Sequence, residues 1–175
     1  MVCGLPFEVA DRQAATALRG LRDLGISAQA ERVPMPSRAS RGGHVLIVST
    51  FERTRAGHGA VSARERTAEQ IADEAVRAFR EHLASGAAVD RHLGDQLLLP
   101  AALLAARLVT PPPGIVPVTR FTVSAVTKHL TTNAEVIRRF LDVEVSILGK
   151  EEEEGEVRVQ PPGGGAEVVP LQGKG

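Results

Sequence analysis

A chain of 175 residues holds one domain or two small ones and is long enough for a real core. Lys+Arg and Asp+Glu both number 21, so no global field draws it to nucleic acid; with no Trp or Tyr and five Phe, the composition argues against an aromatic base-stacking platform. The lone cysteine, Cys3, excludes an intrachain disulfide and a multi-cysteine zinc site, and fits a reducing compartment. No basic-then-apolar signal opens the chain, and its longest apolar run, Leu97 to Val109, is interrupted by Pro100 and Arg107 and is too short for a bilayer. The expectation is a soluble, cytoplasmic protein with no membrane partner and any RNA-binding surface confined to a local patch.

In chain order, Gly4, Leu5 and Pro6 lead into a helix in which Val9, Ala10, Ala14, Leu18, Leu21 and Leu24 recur at helical spacing, and Gly25 ends it. Ile26, Ala28 and Ala30 alternate as a weak strand. Val33 to Gly43 is a Pro/Ser/Gly loop whose Arg38 and Arg41 could meet phosphate, a solvated loop being the plainer account. His44 to Phe51 is a strand apolar on both faces, hence central in its sheet. Thr54 to Gly59, with glycines flanking His58, reads as a turn. Thr67 and Gln70 have capping-box spacing, followed by an amphipathic helix through Ile71, Ala72, Ala75, Val76, Phe79 and Leu83 to Ser85 and Gly86. This part reads as a small α/β unit, residues 1–85, whose first strand would precede Met1.

In the second part, a helix over Arg91 to Leu99 puts His92, Asp95 and Gln96 on one face, with Leu93 and Leu97 adjoining and able to pack inward. Those three polar groups could bind a nucleotide, or His92 and Asp95 a metal; the plainer account is a solvated face. Gly94 costs a helix about 1 kcal/mol against Ala, so either the helix is marginal there or something packs tightly on its backbone. Pro100 ends or kinks the helix, Ala101 to Val109 continues as an apolar segment, and Thr110 to Pro117 is a stiff, extended loop.

Phe121, Val123 and Ala125 alternate with Thr122 and Ser124 as a half-buried strand, and continued parity brings His129 out on the apolar side. Thr132 to Glu135 has the spacing of a second capping box, with Val136, Ile137, Phe140 and Leu141 as the stripe behind it. His129 is then held between a strand end and a helix N-terminus, a place suited to phosphate. The plainer account is a strand-end histidine bonded to a carbonyl. Val143, Val145 and Ile147 form a strand, Glu151 to Gly155 an acidic hairpin tip, and Val157 and Val159 the returning strand. From Pro161 a Pro/Gly-rich tail, residues 161–175, reads as disordered.

Three stretches together, Gly86 to Asp90, His92 to Leu97 and Lys128 to Asn133, resemble the RNA 3′-terminal phosphate cyclase family. In that family an H/Y-L-A-D-Q-L helix is followed by a strand running into an H-L-L-T-N-like turn. Gly4 to Pro6 with Val9 and Ala10, and the helix start at Ala68 and Glu69, resemble its insert domain. The resemblance covers about residues 4 to 160: the family's C-terminal half, including most of the insert. It implies an α/β (α+β) fold, an insert-type unit 1–85 followed by a βαβ-type body unit 86–160 with a mixed sheet. It also implies that His129 is the nucleophile taking AMP from ATP. His92, Leu93, Gly94, Asp95 and Gln96 correspond to the adenylate-binding segment, with Mg or Mn neutralising the phosphates. The implied partner is RNA with a 3′-phosphate end, which leaves as a 2′,3′-cyclic phosphate. Departures are Gly94, where Ala is commoner, a Pro111 to Pro117 loop longer than usual, and a weakly matching Gly57 to Arg66.

The family's chains are about twice as long, and the missing N-terminal half supplies further contacts to ATP and metal. Two functions follow: an ATP-dependent RNA end-modifying enzyme or part of one, dependent on that half; or a non-catalytic cyclase-like RNA or ribosome-assembly binding module or inactive fragment.

Overall fold

Helix propensity and one capping motif organise the first of two units, Met1–Gly86, in the computed structural model of the chain. The second unit is Ala87–Gly175, and the structure describes all residues except 36–40, 53, 64, 112, 114–116 and 164–175. The first unit runs β1 (Val2–Cys3), α1 (Phe7–Asp23), β2 (Pro34–Met35), β3 (Gly42–Thr50), β4 (Arg55–Val61) and α2 (Ala68–Ser85). Thr67 caps α2: its hydroxyl accepts from Gln70 N at 3.2 Å, and the Gln70 side chain accepts from Thr67 N at 2.8 Å. Gly86, at φ 63°, supplies the left-handed stop. Gly25, at φ 76°, does the same after α1, while Pro6 stands at the cap just before the first helical residue.

The strands form one sheet in the order β2-β1-β3-β4, with β1 parallel to β2 and the other pairs antiparallel. Ala17 and Leu21 of α1 and Ile71, Ala72, Ala75 and Phe79 of α2 bury Val45, Ile47 and Ala60 of the sheet. β3 is central, as its composition predicts, but Leu46 and Val48 on its other face stay 50% and 64% exposed.

Three expectations for this unit are corrected. A strand does lie ahead of α1 within the chain, and at two residues it is too short to carry a period. Ile26 to Ala30 belongs to no strand; the chain pairs later, at Pro34–Met35. The stretch read as a turn around His58 is β4, whose Ala56, His58 and Ala60 point inward between exposed neighbours. Its glycines hide the alternation, and a Cβ at Gly59 would stand 2.5 Å from Nε2 of His44 on β3, so that imidazole lies over the glycine and would have to swing aside for any larger residue.

The second unit runs α3 (Arg91–Ala105), β5 (Thr119–Val123), α4 (Lys128–Phe140), β6 (Glu144–Leu148) and β7 (Gly155–Gln160). The sheet order is β5-β7-β6, with β7 antiparallel to both neighbours. β5, α4 and β6 therefore make a βαβ unit split by β7. The expected mixed sheet is corrected: its ladders are antiparallel, and among the described residues of this unit parallel pairing survives only in the bridges Val89↔Val123 and Val126↔Glu151. Leu98, Ala102 and Ala105 of α3 and Leu130, Ala134 and Ile137 of α4 cover Val123, Val145, Val157 and Val159.

Pro100 does not end α3, which continues through it to Ala105. The ring is exposed, so its bulk meets no packed neighbour outside the helix; within it, the bond to the Gln96 carbonyl is given up and the ring crowds that carbonyl. The expected inward stripe also moves: Gly94, Leu98, Ala101, Ala102 and Ala105 are buried, while Leu93 and Leu97 are half-buried. The Pro-rich loop lies partly, and the tail from residue 164 wholly, outside the described residues. Among the described residues no helix is long and apolar enough to cross a membrane.

Candidate functional site

β5 stops at Val123, and the next segment is locked before α4 begins. Ala125, Val126 and Thr127 are buried. Val126 N donates to Glu153 O at 2.8 Å, and its carbonyl accepts from Glu152 N at 2.9 Å, which docks the acidic β6–β7 turn beside the helix start. Thr127 is the N-cap, its hydroxyl accepting from Leu130 N at 3.1 Å.

His129 consequently lies in the first turn of α4, exposed, and not at the end of a strand. Thr132 and Glu135, expected to cap the helix, sit exposed within it. The register is chosen by Leu130, Ala134 and Ile137, which recur at i, i+4 and i+7 and reach the core. Val136 and Phe140, expected in the buried stripe, are 45% and 82% exposed. The signal for the true start was Thr127, a cap residue standing ahead of the apolar recurrence Leu130, Ala134 and Ile137.

α3 begins in the same style. Asp90 caps it, its carboxylate accepting from His92 N at 2.8 Å and Leu93 N at 3.1 Å. Arg91 pairs with Glu152 at 2.7 Å and Lys128 with Glu151 at 3.5 Å, so the first residues of both helices are tied to one acidic turn. Further along, Asn133 of α4 donates from Nδ2 to the Asp95 carboxylate of α3. His129 precedes Asn133 by four residues and His92 precedes Asp95 by three, so each histidine shares a helix face with one member of that bond. Both imidazoles are exposed, and neither has a partner among the described residues.

The segment from His92 to Gln96 divides by direction. His92 and Gln96 are exposed, Asp95 is half-buried against Asn133, and Leu93 is half-buried. Gly94 turns inward, where an added Cβ would stand 2.6 Å from Cγ1 of Val123. Something does pack tightly on that backbone, and the glycine sets the spacing of α3 from β5. Of the basic loop residues, Arg41 is exposed and Arg38 lies outside the described residues.

The arrangement offers an unpartnered imidazole beside the free N–H groups and positive dipole end of α4, with the Asp95 carboxylate and the Asn133 amide joined across the two helices. That set can present a nitrogen nucleophile to a phosphoryl group whose oxygens face the helix N-terminus. Among the described residues no three His, Cys, Asp or Glu side chains gather in a way that could hold a metal ion.

Residues 1–84 match the family described as RNA 3′-terminal phosphate cyclase (RTC), insert domain. An RNA 3′-terminal phosphate cyclase of Methylococcus capsulatus is 36% identical over 140 residues, covering 80% of this chain and 36% of the relative. One from Methanopyrus kandleri is 34% identical over 165 residues, 91% of this chain and 44% of the relative. One from Saccharolobus solfataricus is 30% identical over 149 residues, 85% of this chain and 40% of the relative. The chain thus spans about two fifths of the length of the curated relatives it matches, and it belongs to the RNA 3′-terminal phosphate cyclase family.

Proposed function

We propose that this chain carries the nucleophile and part of the nucleotide pocket of an ATP-dependent RNA 3′-terminal phosphate cyclase, a ligase-class activity. The supporting observation is the Asn133–Asp95 hydrogen bond, which joins the helix bearing His129 to the helix bearing His92, Asp95 and Gln96. In this reading the His129 imidazole nitrogen attacks the α-phosphorus of ATP, the bond to the β-phosphate oxygen breaks, and pyrophosphate leaves. A 3′-phosphate oxygen of the RNA then takes the AMP from His129. The neighbouring ribose 2′-hydroxyl attacks the activated phosphorus, losing its proton to solvent, and AMP departs as the 2′,3′-cyclic phosphate closes. Splitting one hard phosphoryl step into easier ones is the advantage of the covalent route.

The residues divide the work. The first-turn N–H groups of α4 face phosphate oxygens, Gln96 and Asp95 hydrogen-bond the adenylate, and His92 and Leu93 border it. Gly94 keeps α3 close to the sheet. A divalent cation such as Mg or Mn accompanies ATP in this reading and neutralises the pyrophosphate. Its ligands would be phosphates and water. A reducing compartment such as the cytoplasm suits the lone thiol of Cys3.

The chain is incubated with α-labelled ATP and a divalent cation, alone and supplied with the N-terminal part of a full-length relative. An acid-labile, hydroxylamine-sensitive AMP adduct that is lost in His129→Ala is expected. An adduct only in the supplemented reaction identifies a dependent part of such an enzyme. No adduct in either reaction overturns the catalytic reading and leaves a non-catalytic RNA or ribosome-assembly binding module.

A further inference from the structure

In the first unit, a cleft of about 620 Å³ opens at the N-terminus of α2, bounded by Arg12, Gln13, Arg41, Arg66, Thr67 and Ala68. Among the described residues Arg12, Arg41 and Arg66 line it and no acidic residue does. Arg12 and Arg66 are engaged from outside it, by Glu69 and Glu74. Arg41 is exposed and has no partner among the described residues. The capping box uses the N–H groups of Thr67 and Gln70, while the first-turn N–H of Ala68 has no intrahelical acceptor.

A second observation comes from α1. Gln13 is 3% exposed, and its Nε2 is buried with no hydrogen-bond partner. The same side chain lines the cleft, packed against Gly43, where a Cβ would come 3.2 Å from that nitrogen. A buried amide donor without an acceptor is rare in folded proteins and calls for an explanation. The cleft it lines also holds an unpaired arginine and a helix N-terminus; the amide lacks an acceptor, and an acceptor that carries negative charge suits the arginine and the helix as well.

We propose that this cleft binds a phosphate group of an RNA backbone. Arg41 supplies the charge, Gln13 Nε2 a buried donor, and the first turn of α2 a further N–H. The choice of RNA as the source rests on the function proposed above; the phosphate chemistry does not.

The test uses the whole isotope-labelled chain, titrated with a single-stranded RNA ending in a 3′-hydroxyl, which is no substrate for cyclisation, and separately with inorganic phosphate. Binding of RNA should move the Gln13 side-chain amide and the Ala68 backbone amide. Arg41→Ala should weaken RNA binding about fivefold and flatten the slope of log affinity against log salt by about 0.7, the share of one phosphate contact on a single strand. Arg80→Ala, on α2 outside the cleft, should leave these resonance shifts in place. Gln13→Leu should weaken binding without lowering the melting temperature, because it removes a donor that has no partner in the free protein. A purely structural glutamine would instead lower the melting temperature. Shifts confined to other residues, or unchanged binding in both Arg41→Ala and Gln13→Leu, would overturn the proposal. Movement with inorganic phosphate but not with RNA would overturn the RNA assignment. Each of these results is independent of the His129 adduct, so failure here is distinguishable from failure of the proposed function.

Discussion

Asn133 and Asp95 are 38 residues apart in the chain and hydrogen-bonded across two helices, the amide Nδ2 donating to the carboxylate. The bond holds the Asp95 carboxylate in one orientation and fixes the face of α4 that carries His129 against the face of α3 that carries His92. Asp95 is half-buried and Asn133 exposed, so the contact lies where a ligand between the two helices would meet it.

Removing the amide should therefore harm the site more than the fold. On the function proposed above, Asn133→Ala is expected to cut the rate of AMP transfer to His129 about tenfold, as loss of a supporting contact does, with an unchanged far-ultraviolet spectrum. Asp95→Ala should cost at least as much, and the double variant no more than the worse single one, because the two groups act as a pair. Additive losses would show that they do not.

Gly94→Ala sets two effects against each other. Alanine favours a helix by about 1 kcal/mol, but its Cβ would stand 2.6 Å from Cγ1 of the fully buried Val123, and overpacking costs about 1–3 kcal/mol. A net loss of about 1 kcal/mol is expected in urea unfolding. In a Val123→Ala background the clash is gone, and the same substitution should become stabilising.

Two threonines compete to start α4, and their alanine variants separate them. Thr127→Ala should cost about 1 kcal/mol, since its hydroxyl accepts from Leu130 N at 3.1 Å. Thr132→Ala, at an exposed site inside the helix, should be neutral or slightly stabilising. Equal losses in urea unfolding would argue for a later helix start.

The Arg12–Glu69 pair carries a pH signature. Hydrogen bonding from Arg12, at 2.7 and 2.9 Å, together with the backbone at Glu69, holds the Glu69 carboxyl down at about 2 against an ordinary 4.5. A carboxyl lowered in the folded state stabilises above its unfolded value and loses that contribution as pH falls from about 4.5 towards 2. With the two side chains 58% and 37% exposed, solvent screening keeps the effect small. Comparison of Glu69→Gln with the wild type in urea should show a modest, salt-sensitive gap at neutral pH that closes across that window.

What the sequence determined by itself was local. The capping box of Thr67 and Gln70, the glycine stops after α1 and α2, and the β6–β7 hairpin each depend on neighbours a few residues away. Gly94 left two readings open, a marginal helix or a close approach, and the contact with Val123 decided for the second. The order of the cyclase-like motifs carried the family. Tertiary structure decided the rest. β4 was hidden because Gly57 and Gly59 erase one half of an alternation, and only the pairing with β3 restores it. The start of α4 was misplaced because Thr127 and Thr132 both look like caps, and the choice between them falls to Leu130, Ala134 and Ile137 reaching the sheet. Asn133 and Asp95 stand in separate motifs, and a hydrogen bond between such distant positions follows only from the packing of one helix on another.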